Sequence, residues 1–446
     1  MNTLPDPTRI SPLPNAKARE EVDVLVIGGG LAGTSLAHHL ETLGFGGRVA
    51  IVEARRDFST EARWCSWGKI PDGMQGLVSH QWHRWEVRDE RNTATQASKS
   101  QPYQHIYAPD FFRHFHQQFA RTGRTELYLG HSTTQVTPQK NGVEVSSIDA
   151  NGNLTQWRAN RVFDARGLAH PRLEQPRLEQ PRPAQKIHWR QSFAGLLVQF
   201  EEDVFVAETM TMMDFRVPQS DGVKFIYILP FSPRRALVEV TSFAPRACSR
   251  ESLEPLLLRY LKEHLGGRYQ TLSRESGDLP MDTARMPSRL GRNWAAIGLC
   301  GGAGRAATGY AFGRIQRQTA WIAQTLAGGG DPLEGNTLNR LTLSPKFEAF
   351  DEIFLEALGH GPKFAASCFY RLIERVGADS LTRFLEEESN AWEELQLVAA
   401  LPKINFIRAA TRRVLVRSGR RLPAASAIRT LKPEGGAPVA IRGAAR

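Results

Sequence analysis

Gly28-x-Gly30-x-x-Gly33, with Ala32 inside it, stands between an apolar run and a helical pattern. That is where a phosphate-binding turn has to stand. Glycines there permit a tight turn and close backbone approach, and the first N–H groups of the following helix face the anion. Glu53 lies twenty residues beyond Gly33, at the end of the next apolar run, placed to accept a hydrogen bond from a ribose hydroxyl. The set predicts dinucleotide binding and leaves FAD and NAD equally open. A second glycine-rich stretch, with Gly301, Gly302, Gly304, Thr308 and Gly309, follows the short apolar segment Trp294–Gly298. It is either a second cofactor contact made by backbone N–H groups or a structural turn.

The elements that would hold these residues can be read from periodicity. Val22–Ile27 is nearly all apolar, as a strand buried on both faces should be. Thr34–Leu43 has Leu36, Leu40 and Leu43 at helical spacing, and Arg48–Glu53 is a second strand, completing a βαβ unit. A further helix is expected from Phe111 to Ala120, after Pro109-Asp110, and a strand over Arg161–Ala165. Strand signals dominate Phe193–Phe243, and residues 347–412 read as consecutive helices. The fold class expected is therefore α/β: a Rossmann-like dinucleotide-binding domain with a β-rich substrate domain inserted and a C-terminal helical region. The expected division is a flexible leader at 1–20, a discontinuous nucleotide domain at 21–100, 120–170 and 280–330, a substrate domain at 100–120 and 186–280, C-terminal helices at 345–412 and a basic disordered tail at 413–446. Between them Pro-Arg-Leu-Glu-Gln is repeated at 171–175 and 176–180, inside a Pro-rich linker at 171–185.

With 446 residues, 41% hydrophobic and 23% charged, the chain has the composition of an ordinary globular protein and not of a disordered or collagen-like one. No apolar run reaches the roughly 18 residues of a spanning helix, and the Pro-rich N-terminus has no secretory pattern. Cys65, Cys248, Cys300 and Cys368 are far apart, which predicts free thiols without a metal site. From Thr411 to Arg446 nine basic residues stand against one acid, Glu434, so most of the net charge of +11 lies in that tail. The tail is either a solvated end or an attachment to anionic lipid. No nucleic-acid-binding motif accompanies it.

Several blocks together resemble the flavin-dependent lycopene cyclases of bacterial and plant type: Asp23–Gly33, Trp64-Cys-Ser-Trp67, Val162–Gly167, Gln191–Gly195, Met213-Asp-Phe-Arg216, Phe225–Pro230, Leu237-Val-Glu-Val-Thr241, Gly301–Phe312, Arg383-Phe-Leu385 and Leu401-Pro402. The resemblance spans about residues 20–412. It implies FAD, active in its reduced form, with NAD(P)H as electron donor, and lycopene or a related linear carotene as substrate, cyclised to β-rings without net redox change. An FAD-dependent monooxygenase acting on an apolar substrate is the same-fold alternative. Glu239 falls where the family carries its essential acid.

On a strand Glu239 shares a face with Leu237 and Thr241 while Val238 and Val240 face away. Burial there would hold it neutral, ready to protonate an alkene. Asp214 and Arg216, two residues apart, are read either as a plain ion pair or as partners of Glu239, Asp214 in proton management and Arg216 holding charge near the flavin. Trp64, Trp67, Phe225 and Tyr227 are candidate cation–π partners or simply core. A bilayer-resident substrate and the lack of a spanning helix lead to an expected peripheral, cytoplasmic-face membrane association.

Overall fold

The computed structural model describes residues 19–59, 63–167, 188–282, 288–335, 337–342 and 344–417. The leader up to residue 18, the Pro-Arg-Leu-Glu-Gln repeat and the tail from 418 onward lie outside the described residues.

The chain opens with β1 (Glu20–Ile27), α1 (Leu31–Thr42) and β2 (Val49–Glu53), a βαβ unit in which every residue of β2 is buried. Next come β3 (Arg63–Ser66), β4 (Val78–Trp82), β5 (Arg84–Arg88), β6 (Thr93–Ala97) and β7 (Tyr103–Tyr107), then α2 (Ala108–Thr122) and β8 (Thr125–Leu129). A hairpin of β9 (Ser132–Gln139) and β10 (Gly142–Ile148) leads to β11 (Leu154–Asp164). Long antiparallel strands follow: β12 (His188–Phe200), β13 (Thr209–Asp214), β14 (Val223–Pro230) and β15 (Arg235–Ala244). Then come α3 (Arg250–Tyr260), β16 (Tyr269–Asp282), and the short β17 (Arg289–Gly291) and β18 (Trp294–Ala296). The rest is helical: α4 (Phe312–Ala327), α5 (Thr337–Thr342), α6 (Pro345–Leu358), α7 (Pro362–Arg375), α8 (Ala378–Leu385), α9 (Ala391–Ala400) and α10 (Lys403–Arg417).

Three sheets result. The first has the order β17-β18-β11-β1-β2-β8, with β10 and β9 added beside β11. Its central strands are parallel, and α1, α2 and α4 cover one face through Leu36, Leu40, Phe111, Phe115, Ile315 and Ile322. This is the Rossmann-like half. The second has the order β16-β12-β15-β14-β13-β5-β6. One of its faces packs on α3 through Leu253, Leu257 and Tyr260; the C-terminal helices pack over the other, with Leu355, Leu372 and Leu397 in its core. The third, β3-β7-β4, is small.

Four boundaries differ from the sequence reading. α2 starts at Ala108 rather than Phe111, because Pro109 sits in the first turn, where its missing N–H costs nothing. Phe111, Phe112, Phe115 and Phe119 on α2 pack with the nucleotide sheet, so this part of 100–120 does not join the substrate half. Conversely β5 and β6, expected within 21–100 of the nucleotide half, hydrogen-bond to β13 in the second sheet. Finally α10 runs to Arg417, past the expected end at 412. Among the described residues no helix is long and apolar enough to cross a membrane.

Candidate active site

The three fingerprint glycines are needed for three different reasons. Gly28 has φ 99°, and a Cβ on it would sit 2.9 Å from the carbonyl of Ala165 at the end of β11. On Gly33 a Cβ would lie 2.0 Å from the Gly28 carbonyl oxygen, so this residue sets how closely α1 packs on the turn. A Cβ on Gly30 would meet only Arg55 Nη2, at 3.8 Å. The space before Gly30 opens into a cavity, and the free N–H groups of the first turn of α1 point the same way. Among the described residues no protein atom requires glycine at position 30.

Glu53 closes this end. Its Oε2 accepts the Gly29 N–H at 2.7 Å, and its Oε1 accepts the N–H and Nε–H of Arg55 at 2.8 and 2.9 Å. Burial opposes its ionisation, but Arg55 and the two backbone donors outweigh that and hold the carboxyl below its usual range. Along the same cavity wall His131 Nδ1, Thr133 Oγ1 and Gln191 Oε1 are buried without a hydrogen-bond partner among the described residues. Such groups are costly unless a bound molecule or water satisfies them.

The second glycine stretch divides. Gly298, φ 68°, docks on the start of α1, where an added Cβ would come 2.7 Å from Ala32 Cβ. Gly301 and Gly304 face protein atoms, Ala296 O at 2.4 Å and Leu299 Cδ2 at 3.3 Å from a built Cβ, and Gly302 supplies a left-handed turn at φ 81°. Gly301, Gly302 and Gly304 shape the loop and do not line the cavity, contrary to the sequence expectation. Gly28, Gly30, Ala32, Glu53, Thr308 and Gly309 do line it. The loop is tied down by Arg305, which pairs with Asp351 at 3.1 Å and donates to the carbonyls of Phe384 and Leu385, all from the C-terminal helices.

At the far end the second sheet carries one row of side chains. Strand register aligns Glu275 on β16, Gly195 on β12, Glu239 on β15 and Tyr227 on β14, so all four face the same way. Leu237, Thr241 and Phe243 join them on the cavity face, while Val238 and Val240 pack toward α3, as the alternation predicted. Glu239 accepts a hydrogen bond from Thr241 Oγ1 at 2.9 Å and, among the described residues, has no ion-pair partner. Burial, and then the charge of Glu275, push its acid strength down, so the pKa rises above the carboxylate range. Glu275 is ion-paired with Arg63, the two side chains being 14% and 11% exposed. Arg63 Nη2 also donates to Ser273 Oγ. The Tyr227 hydroxyl donates to Tyr103 at 2.9 Å, beside Cys65 and Tyr310.

Asp214 and Arg216 lie elsewhere. A bulge at the end of β13 turns Met212 and Met213 both toward the cavity and sends Asp214 to the opposite face, paired with Ile226. There Asp214, fully buried, accepts from Arg216 at 2.9 and 2.5 Å and from the Tyr260 hydroxyl of α3 at 2.6 Å. The two residues form an ion pair and do not meet Glu239, so the expected proton management and charge near a flavin have no geometric basis.

One cavity of about 1540 Å³ joins the two ends. It runs from Gly30 and Glu53, past Gly167 and Gly309, to Glu239 and Glu275, and then out between the C-terminal helices past Phe369, Leu395, Phe406 and Ile407. Sites for one small ligand usually hold about 300–1,000 Å³, so this space exceeds what one such ligand needs. The sequence reading missed Glu275 and Arg63. A glycine isolated in a strand pattern, Gly195, was the available signal of a close approach.

A family model described as lycopene cyclase protein matches residues 23–411. The chain is 27% identical over 224 residues to a lycopene beta-cyclase of Paracoccus sp. strain N81106, a match covering 48% of this chain and 57% of that relative. Solved structures share the fold at lower identity. A geranylgeranyl bacteriochlorophyll reductase-like protein of Thermoplasma acidophilum superimposes with TM-score 0.60 at 15% identity, over 89% of this chain and all of that one. A flavoprotein/dehydrogenase of Cytophaga hutchinsonii gives 0.59 at 15%, over 90% of this chain and all of that one. The halogenase PltM, solved in complex with FAD, gives 0.57 at 13%, over 90% and 93% of the two chains.

Proposed function

The chain belongs to the lycopene cyclase family, and from that premise we propose that it cyclises the ψ-end groups of lycopene, or of a related linear carotene, to β-rings with FAD bound. The observation that carries this reading is a glutamate, Glu239, that faces a largely apolar cavity continuing into the glycine cradle and whose pKa burial raises. Gly30 and the first turn of α1 would take the pyrophosphate, Glu53 and the unpartnered His131 and Thr133 the adenosine end, and Gln191, Thr308 and Gly309 the ring end. When bound and reduced by NAD(P)H, the flavin supplies electron density that stabilises a nearby cation electrostatically.

The rest falls to side chains. Glu239 delivers its proton to the terminal alkene, an internal double bond closes on the cation to form the ring, and a neighbouring carbon then loses a proton. Atoms and electrons balance as an isomerisation. Phe225, Leu237 and Phe243 exclude water that would quench the cation. The tunnel leaves the protein where Leu395, Val398 and Ile407 are 56%, 51% and 62% exposed, beside exposed Trp392 and Ile404. Apolar groups at a tunnel mouth, with Lys403 and Arg408 exposed among them, support peripheral docking on a bilayer surface from which the carotene enters.

Expression in lycopene-accumulating bacteria tests the activity. The expected outcome is β-ring carotenes of the same mass as lycopene. Cells that stay lycopene-red despite soluble, FAD-loaded protein would overturn the reading. A product heavier by oxygen would favour the monooxygenase.

A further inference from the structure

Cyclisation needs an acid that is protonated at neutral pH and recovers its proton each turn. Burial alone offers the first and not the second, and a lone buried glutamate would also be insensitive to its neighbours. The second sheet provides more. Gly195 is buried on β12 between β15 and β16, opposite Glu239 on one side and Glu275 on the other. A Cβ at Gly195 would lie 3.2 Å from Glu275 Cγ and 3.5 Å from Glu239 Cβ. The missing side chain therefore leaves open the space between two glutamate side chains from non-adjacent strands on the cavity face. Among the described residues only one of them has a cation: Arg63, from β3, pairs with Glu275 and also reaches Ser273 on the same strand.

Resting on the cyclase reading above, we propose that Glu275 and Glu239 form a carboxylate pair that shares one proton across the gap left by Gly195, with Arg63 fixing the charge on Glu275 and so leaving the proton on Glu239. Glu275 and Arg63 act through Glu239 and are positioning residues. Once Glu239 has given its proton to the alkene, two anions face each other, and the guanidinium of Arg63 is paired with Glu275. The pair then takes back the proton that the cyclised cation loses, so the acid is restored within the turnover and no electrons change hands. The other titratable groups around Glu239 are Tyr227 on β14, Tyr103 on β7, Cys65 on β3 and Tyr310 of the glycine loop. Burial comes first in keeping all four neutral, pushing each above its ordinary range. Glu275 and Arg63 are the charges that act on Glu239.

Two substitutions must act in opposite directions. Glu275→Gln removes the anion and leaves the Arg63 charge facing Glu239, so Glu239 loses its proton at lower pH. Arg63→Gln removes the cation, so the pair holds its proton to higher pH. The infrared carbonyl band of a protonated buried carboxyl, absent in Glu239→Gln, reports this in the FAD-loaded protein without substrate. Its titration midpoint is expected to fall by about one pH unit or more in Glu275→Gln, to rise in Arg63→Gln, and to stay near wild type in Glu275→Asp. The alkaline limb of the cyclisation rate should follow the same order. Midpoints that do not move, or that move the same way in Glu275→Gln and Arg63→Gln, would overturn the pair. If Glu275→Gln does not fold, the upward shift in Arg63→Gln decides alone. Opposite infrared shifts in a protein that forms no rings would uphold the pair and refute the cyclase reading.

Discussion

Glu239 and Glu275 belong to strands that do not touch, yet they stand in one register row with only the backbone of Gly195 between them. The arrangement makes the proton on Glu239 a property of three side chains and one absent one. Gly195→Ala tests the gap directly. Its methyl would sit at 3.2 Å from Glu275 Cγ and 3.3 Å from Leu237 Cδ1, tighter than relaxed contacts, so a side chain must give way. Melting should fall by a few degrees, the overpacking costing about 1–3 kcal/mol, while cyclisation falls and the pH profile shifts. A normal profile would mean the carboxyls do not depend on this space.

Glu239→Gln should keep FAD and lose cyclisation, because an amide cannot deliver the proton. Loss of an essential acid costs on the order of 10²-fold or more. In the wild type, activity should hold while Glu239 is protonated and fall as pH rises through its elevated pKa. That ordering is the reverse of a general base. A rate measured on carotene-loaded liposomes that keeps climbing above neutrality would contradict it.

Gly30→Val should fold and fail to bind FAD, since the added side chain meets open cavity and not the protein. Absorbance of the purified protein reads this. Gly33→Val is the contrast, because its Cβ already collides with the Gly28 carbonyl; that variant should lose stability whether or not FAD is supplied. Gly30→Val retaining a full complement of yellow cofactor would displace the cradle.

Asp214→Asn should destabilise without touching the chemistry. It leaves Arg216 and Tyr260 facing a neutral group in a buried position, which costs on the order of 3 kcal/mol. Burial opposes ionisation of Asp214, but Arg216 and Tyr260 more than offset it and lower its pKa. Its contribution is therefore present above the pKa of an unfolded aspartate and lost as pH falls through the lower folded value. Denaturation midpoints at pH 7 and pH 3 should differ less in the variant than in the wild type. A drop in turnover per folded molecule at unchanged stability would return Asp214 to the active site.

What could be read from the chain and what could not divide by the range of the interactions. β1, the glycine turn and Glu53 are written in contiguous residues, because a strand buried on both faces is a continuous apolar run. The face of Glu239 follows from the alternation in Leu237-Val-Glu-Val-Thr241. Its partner does not: Glu275 meets it through β12, and nothing local says that β12 lies between β15 and β16. The face of Asp214 does not follow locally either, since a bulge on β13 turns it away from the side that Met212 and Met213 share. Gly301, Gly302 and Gly304 left two readings open for a different reason. Turns that avoid a Cβ clash and turns that admit a phosphate use the same residue, and only the built geometry separates them.

The last expectation concerns the tunnel mouth. Trp392, Leu395 and Val398 fall on one face of α9, whose start is fixed by an Asn390–Glu393 capping box. Ile404, Ile407 and Val414 form an exposed stripe on α10, 67%, 62% and 67% exposed. Water is an unfavourable neighbour for so many large apolar groups in one region, and a bilayer is a favourable one. Binding there would combine apolar insertion with attraction of Lys403, Arg408 and the basic residues beyond 417 to anionic lipid. The two parts separate by salt, because the Debye length falls from about 10 Å at 0.1 M to about 3 Å at 1 M. Flotation with anionic liposomes should therefore weaken at high salt and survive in part. Removing residues 418–446 should reduce the salt-sensitive part, whereas Trp392→Asp with Ile404→Asp should abolish what salt leaves behind. Both altered proteins should still hold FAD, since neither change reaches the glycine cradle. If the aspartate variant floats as well as wild type at 1 M salt, the carotene enters from another face.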